Sequence, residues 1–430
     1  MHGGKESVVA KNKPSRWPFW TGELAAYYCL VGAYFFSYGV QFVLYPSLIA
    51  FTLGEPGAKL GAAQLALSGP MFVLLLATGV YAERAQAGPS LFMFQLAMAA
   101  PPLLVAWLTQ AGVLNYSVLL GYGVMMGTVG AFILPVRDAA LNGVITREAE
   151  RGRRVQLTVA ATTITVIQIG AQIGGILLGE LTDRIGPTPL LVIQGAVSVI
   201  GAFFALRLKA PRPDGPRRSA GHLFRDLIGG MAYVLRDRVV LGLLWSGAYA
   251  GIFIVGSGLV LFPLIVRDEY KGGAHELSLL YACFWAACFV SAALLSRFGG
   301  LDRPGRGLIL AHLASAGALA SFAFDTPLWG LYIIVTVWGL VSGVAISTNR
   351  TIIQALTQHA YLGRVLALYS MGFMGGAPIG GLLAGFAADR FGPREAALAP
   401  AIGLACAALL LVAFSPVWRV HRPDGDHRAA

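Results

Sequence analysis

Charged residues are scarce in this 430-residue chain. Asp, Glu, Lys and Arg together make up 12% of it, against about a quarter in ordinary soluble domains. With 56% hydrophobic residues and a mean hydropathy of +0.68, a soluble protein of this size could not cover its surface with polar groups. That disfavours secreted disulfide scaffolds, nucleic-acid readers and soluble enzymes. Cysteine is scarce too. Cys29, Cys283, Cys288 and Cys406 all lie in apolar runs, with no CxxC or Cys/His metal spacing, and are read as small buried hydrophobes. HExxH and GxxxxGK[ST] are both missing, so neither metalloprotease chemistry nor ATP hydrolysis is expected, nor any catalytic residue, metal or cofactor. The basic, polar start (Lys5, Lys11, Lys13, Arg16) leads into a long apolar run without a small-residue cleavage site, and no cleavable leader is expected.

What is present is length of apolar sequence. A bilayer core about 30 Å thick takes roughly 20 apolar residues per helix. Such runs occur near 22–51, 60–82, 90–109, 113–136, 156–180, 187–208, 239–266, 276–296, 306–324, 328–349, 363–387 and 394–416, predicting an all-α integral membrane protein with twelve transmembrane helices. One long polar interruption, 209–238, begins basic and Pro-rich (APRPDGPRR) and divides the spans six and six. The organisation expected is an N-terminal segment (1–16), a first half (17–208), a linker (209–238), a second half (239–416) and a tail (417–430). In the linker Phe224, Leu227, Ile228, Met231 and Leu235 recur at helical spacing, predicting a short amphipathic helix on the membrane surface. With both termini cytoplasmic, Lys59, Arg184, Arg267, Lys271, Arg390 and Arg394 are the only outward members of the 32 basic residues, leaving 26 inside, while the acids divide 12 to 9. This asymmetry belongs to Lys and Arg, as the positive-inside rule requires, and predicts a multi-pass protein of the cell inner membrane. It also makes the +11 net charge a topological marker, with no nucleic-acid partner implied.

The strongest signal is an internal duplication. GAQIGGILLGELTDRIGP at 170–187 and GAPIGGLLAGFAADRFGP at 376–393 agree at 11 of 18 positions. The matches include Asp183 with Asp389, Arg184 with Arg390 and Pro187 with Pro393. Weaker echoes keep a similar offset: VLYP (43–46) with VLFP (260–263), and Gly123xxxGly127 before Arg137 with Gly339xxxGly343 before Arg350. Six spans separate each pair, so the halves are parallel. Two parallel six-helix repeats related by an axis along the membrane normal are a transporter architecture, with the substrate site between them.

On these residues the chain resembles the major facilitator superfamily over nearly its whole length. LGRVLALYSMGFMGGAPIGGLLAGFAADRFGP (362–393), with NRTIIQAL (349–356) before it, is most similar to the transmembrane secretion effector branch, which includes enterobactin-exporter-like proteins. The superfamily's loop signature GxLxDRxGRR is met as GVYAERAQAG (79–88), keeping Gly79 and Arg84 with Glu83 for Asp. Its second-half counterpart is DRPGR (302–306), with Asp302 and Arg303. The resemblance implies that such loops link helices through charge and hold one conformation shut. Gly170-Ala171-Gln172-Ile173-Gly174-Gly175 is similar to the superfamily's antiporter signature GPxxGG, and Gly376-Ala377-Pro378-Ile379-Gly380-Gly381 repeats it. Small residues at this spacing also let helix backbones touch, so close packing is the alternative meaning.

Residues lining an aqueous cavity within a membrane must be polar or amphipathic. In the first span Tyr27, Tyr34, Tyr38, Gln41 and Tyr45 occupy one arc of roughly 60° at about 100° per residue. Tyr34, Tyr38, Gln41 and Tyr45 are expected to line a cavity that stacks on and hydrogen-bonds an amphipathic ligand. The alternative is hydrogen bonding to neighbouring helices. The fifth span adds Thr158, Thr162, Thr165, Gln168 and Gln172; the seventh Trp245 and Tyr249; the eighth Tyr281 and Trp285; the tenth Tyr332 and Thr336. The resemblance implies that these spans face the central cavity.

Charge is expected to be missing from the middle of every span. Candidates for carrying a coupling proton are therefore peripheral: Glu23, Glu83, Asp138 at the inner end of the fourth span, and His312 in the ninth. Asp183 and Asp389, each followed by Arg, are expected to form structural ion pairs. The expectation is a monomeric, non-enzymatic secondary transporter embedded in the lipid bilayer. It exports a small neutral, zwitterionic or amphipathic molecule by alternating access, and the resemblance implies siderophore-like or drug-like cargo exchanged for protons. An uptake permease of the same fold is the alternative, and a non-transporting membrane sensor a remoter one.

Overall fold

A backbone in lipid must satisfy its own hydrogen bonds, and the apolar runs do so as helices. The structure, a computed structural model, describes residues 22–151, 156–208 and 229–421. Twelve long helices follow one another: α1 (Gly22–Thr52), α2 (Gly57–Arg84), α3 (Ala87–Gln110), α4 (Tyr116–Glu150), α5 (Leu157–Leu178), α6 (Pro187–Ala205), α7 (Arg238–Asp268), α8 (Ala274–Arg297), α9 (Pro304–Ala320), α10 (Leu328–Leu356), α11 (His359–Phe391) and α12 (Leu398–Phe414). Among the described residues eleven are long and apolar enough to cross a bilayer, and α2 equals them with 28 residues. No strand occurs among the described residues. This is the all-α membrane fold the sequence predicted.

Local chemistry sets the boundaries. Asn115 caps α4 by accepting from Val118 N–H at 3.1 Å, and Asp237 caps α7 by accepting from Val239 and Val240 N–H. The duplicated Arg-x-Gly-Pro explains itself at this level. Gly186 (φ +79°) and Gly392 (φ +94°) take a conformation open to glycine and stop the preceding helix. The following Pro187 and Pro393 start the next one, where a missing N–H costs nothing.

The packing repeats as the sequence does. In the first half α1 packs on α5, α2 on α4, and α3 on α4 and α6; in the second half α7 packs on α11, α8 on α10, and α9 on α10 and α12. Two cross-half seams, α2 with α11 and α5 with α8, join the halves. The small-residue segments make the close approaches. A Cβ on Gly175 would strike the Phe36 carbonyl in α1, and one on Gly376 or Gly380 would strike the Ala248 or Ile252 carbonyl in α7. Gly170 has open space around it and Gly174 only ordinary contact with Phe36, so the signature is tighter in its second copy, where Pro378 lies inside α11.

Two expectations change here. Helix α4 runs 14 residues beyond the expected end at 136, to Glu150, so Arg137 and Asp138 lie well inside it. The motif Gly79 to Arg84 closes α2 rather than forming a loop, and the side chains of Glu83 and Arg84 fall outside what is described. Asp302 and Arg303 lie just before α9, with Arg303 as its N-cap residue. Of the linker, 209–228 falls outside the described residues, and Phe224, Leu227 and Ile228 with it. Residues 229–236 are helical. Tyr233 stacks on Tyr361 of α11 at 4.6 Å, while Met231 and Leu235 stay exposed.

Candidate functional site

The polar stripe of α1 divides into struts and a centre. Tyr27 donates to the Arg137 carbonyl of α4 at 3.0 Å. Tyr45, expected in the cavity, is buried and donates to the carbonyls of Ala63 (3.0 Å) and Leu119 (3.2 Å). It is a packing residue that ties α1 to α2 and α4. Between these struts Tyr34 turns its hydroxyl toward Gly130 of α4, Tyr38 is partly buried, and Gln41, only 3% exposed, has an Oε1 with no partner among the described residues. A buried amide oxygen without a donor is costly unless something supplies one.

An aromatic ladder crosses from this centre to the second half. Tyr38 meets Phe42 at 6.1 Å; Phe42 meets Tyr281 edge-on at 4.8 Å and Trp285 at 6.1 Å. Helix α8 thus brings Tyr281 and Trp285 against α1 as neighbours across the seam. Phe42 was missed by the sequence reading because an apolar side chain carries no cavity signal. It sits one turn from Tyr38, which is the clue that spacing offered.

Arg137, placed with Asp138 at the inner end of the fourth span by the sequence, is a buried cation within α4 that was not foreseen as part of the site. About 20 Å of α4 separates it from Glu150 at 1.5 Å per residue. The side chain is buried, with its guanidinium 5.2 Å from the Phe35 ring of α1. Its Nε and Nη2 both donate to Asp138 Oδ1, at 2.9 and 2.7 Å, whereas Nη1 is buried without a described partner. Asp138, by contrast, is 67% exposed at its side chain. A buried cation on a membrane-spanning helix makes Arg137 a candidate for the site.

Other candidates are committed elsewhere. Glu23 is buried in a network in which Arg147 donates to both its oxygens and Arg151 joins it. Its own N–H donates to Glu148 Oε1 at 3.2 Å, so it fastens the start of α1 to the end of α4. His312 is 1% exposed, with Nδ1 2.8 Å from the Tyr249 hydroxyl. That pair joins α7 to α9, which removes Tyr249 from the cavity and makes His312 a satisfied core histidine. Trp245 is 52% exposed and lines a groove of about 380 Å³ with Arg238, Leu241, Leu410 and Phe414, between α7 and α12, so it too lies away from the central site. Thr165 and Thr336 each donate to the carbonyl four residues back, although Thr165 is exposed and Thr336 half-buried. Gln168, Gln172 and Tyr332 are half-buried, and the Gln172 carbonyl lies against Gly39. The side chain of Thr158 is outside the described set.

Asp183 and Asp389 depart from the expected ion pairs. Each accepts backbone N–H groups at the start of a helix in the opposite half: Asp183 from Ala274 and His275, the first residues of α8, Asp389 from Gly57 and Ala58 of α2. Arg267 of α7 adds donations to the Ala50 and Glu55 carbonyls, and His275 lies 3.3 Å from Glu180. All these cross-half links gather at the end opposite the chain termini.

Twelve long helices in two repeated halves are a transporter architecture. The chain belongs to the Major Facilitator Superfamily, whose family profile matches residues 28–381. It is 27% identical over 264 residues to the Enterobactin exporter EntS of Shigella boydii serotype 18, covering 61% of this chain and 62% of that protein. The match thus spans under two thirds of that relative. Among solved structures the nucleoside transporter NupG superposes with a TM-score of 0.74 at 15% identity, covering 92% of this chain and 99% of the other. A bacterial homologue of the human lysosomal transporter Spinster, inward-facing and unoccupied, superposes at 0.67 and 14% identity over 94% and 97%. These two likenesses concern the fold.

Proposed function

We propose that this transporter exports a small amphipathic molecule by alternating access, driven by exchange for protons, from a cell inner membrane in which both termini are cytoplasmic. The observation that carries this reading is the aromatic chain across the seam: Phe42 of one half meets Tyr281 and Trp285 of the other, and Tyr38 and Phe35 continue it to Tyr34 and the buried Arg137, with the unpartnered Gln41 on the same helix. Rings to stack on, hydroxyls and an amide to hydrogen-bond, and one buried cation suit a ligand with aromatic and polar faces. The adjacent Asp138 keeps the site's net charge low, which favours a zwitterionic or amphipathic cargo over a compact ion.

Asp138 is the proton carrier in this reading. Glu23 and His312 are sealed in packing networks, whereas Asp138 is exposed and holds a buried arginine that a proton on it would release. The 26-to-6 distribution of Lys and Arg supports cytoplasmic termini. Export is favoured over uptake by the partial likeness to EntS, and enterobactin is the first probe it nominates. Uptake stays as the second reading because the fold also carries the nucleoside transporter NupG. Enterobactin flux in proteoliposomes, with and without a pH gradient, tests the reading. Gradient-driven accumulation on the side of the extracellular face supports proton-coupled export, and flux indifferent to the gradient withdraws the proton role.

A further inference from the structure

Asp183 lies just beyond α5 and Asp389 at the end of α11, at matching positions of the duplicated segment. Both reach across the seam. The two oxygens of Asp183 accept from Ala274 N–H (3.1 Å) and His275 N–H (2.7 Å); those of Asp389 accept from Gly57 N–H (2.6 Å) and Ala58 N–H (2.8 Å). The first N–H groups of a helix have no partner within it and carry the positive end of its dipole. A carboxylate that engages two of them is a charge-assisted cap. Helices α2 and α8 are themselves counterparts in the repeat, so the exchange is reciprocal: each half supplies the carboxylate that caps the other.

Glycine permits the approach on both sides. A Cβ on Gly273 would fall 2.7 Å from Asp183 Oδ2, and one on Gly57 would fall 3.1 Å from Asp389 Oδ1. Since acceptor and donors belong to different halves, these bonds exist only while this end of the seam is closed. Neither aspartate pairs with the arginine beside it among the described ion pairs, so the carboxylates are committed to the caps. Both residues remain exposed to water, which keeps each cap weak enough to break in a working cycle.

We infer that Asp183 and Asp389 form a two-point latch that sets the balance between the closed and open states of this end of the transporter. The inference rests on the alternating-access reading above. Losing one cap shifts that balance about tenfold, and losing both about a hundredfold, because the two sites share no partner.

Thiol labelling of the purified full-length chain tests it without a substrate. With the four native cysteines replaced, Ser278→Cys places the probe at a fully buried position of α8 against Gly179. Asp183→Asn and Asp389→Asn should each raise its maleimide labelling rate about tenfold and together about a hundredfold. Arg184→Gln and Arg390→Gln change the neighbouring charge, leave the caps intact, and should leave the rate unchanged. A cysteine at Ser342, equally buried where α9 meets α10, reports unfolding and should stay slow throughout. Unaltered labelling in the aspartate variants, an equal effect of the arginine variants, or a parallel rise at position 342 would each overturn the latch. None of these results touches the flux assay, on which the transport reading stands separately.

Discussion

Arg137 and Asp138 show how much hangs on single residues in a chain so poor in charge. Asp138→Asn removes the charge but keeps an amide oxygen that can accept from the buried Arg137 guanidinium. Asp138→Asn should therefore accumulate normally in the membrane while flux loses its dependence on the pH gradient; retained dependence would remove Asp138 from coupling. His312 makes the opposite case. Truncation to Ala leaves a cavity and an unpaired Tyr249 hydroxyl, a loss of about 2–4 kcal/mol, visible as a lower melting temperature. His312→Gln, which keeps a partner for Tyr249, should retain the wild-type pH profile of transport. Tyr38→Ala and Gln41→Ala should each slow flux about tenfold, the loss of one ligand hydrogen bond or ring contact, at unchanged membrane abundance. Unimpaired flux in both would mean that this part of the stripe only packs. Sequence periodicity identified the stripe but could not separate its struts from its centre. Whether a tyrosine hydroxyl finds a carbonyl, as Tyr45 does at Ala63 and Leu119, depends on neighbours far away in the chain.

At the scale of the helix, the duplicated glycine segments do different work in their two copies. Gly380 of α11 abuts the Ile252 carbonyl of α7, whereas Gly170 of α5 meets open space. Gly380→Ala must push α11 off α7, costing about 1–3 kcal/mol, and should lower thermal stability. Gly170→Ala relieves a helix-interior glycine and should be neutral or stabilising by up to about 1 kcal/mol. A transport defect in a stable Gly170→Ala protein would instead favour a signature tied to export. Helix existence was legible throughout, because roughly twenty apolar residues have no other solution in lipid. Helix ends were less so. Helix α4 outran its apolar stretch because Asn142 to Glu150 continue it outside the apolar zone, held there by Arg147, Arg151, Glu23 and Glu148. The sequence placed Arg137 at the inner end of the span, and its burial against α1 could not be read there.

At the scale of the molecule, the duplication was the most informative feature of the sequence, and the structure repeats its packing pairs in both halves. What duplication could not convey is which residues face each other across the seam. The latch aspartates looked like partners of the arginines beside them, yet their donors lie 91 and 331 residues away at the nearest. Each half packs its six helices against one another and meets the other along two seams, an arrangement compatible with rocking of one half against the other. Distance measurements between spin labels at both ends test this claim most directly. One pair, at Lys59 and Lys271, straddles the latched end, and another, at Asn142 and Gln354, straddles the opposite end; all four positions are exposed. The account predicts two populations at each end that change reciprocally, the Lys59–Lys271 distance lengthening as the Asn142–Gln354 distance shortens, with Asp183→Asn and Asp389→Asn enriching the first. A single fixed distance at both ends, unmoved by those substitutions, would contradict it.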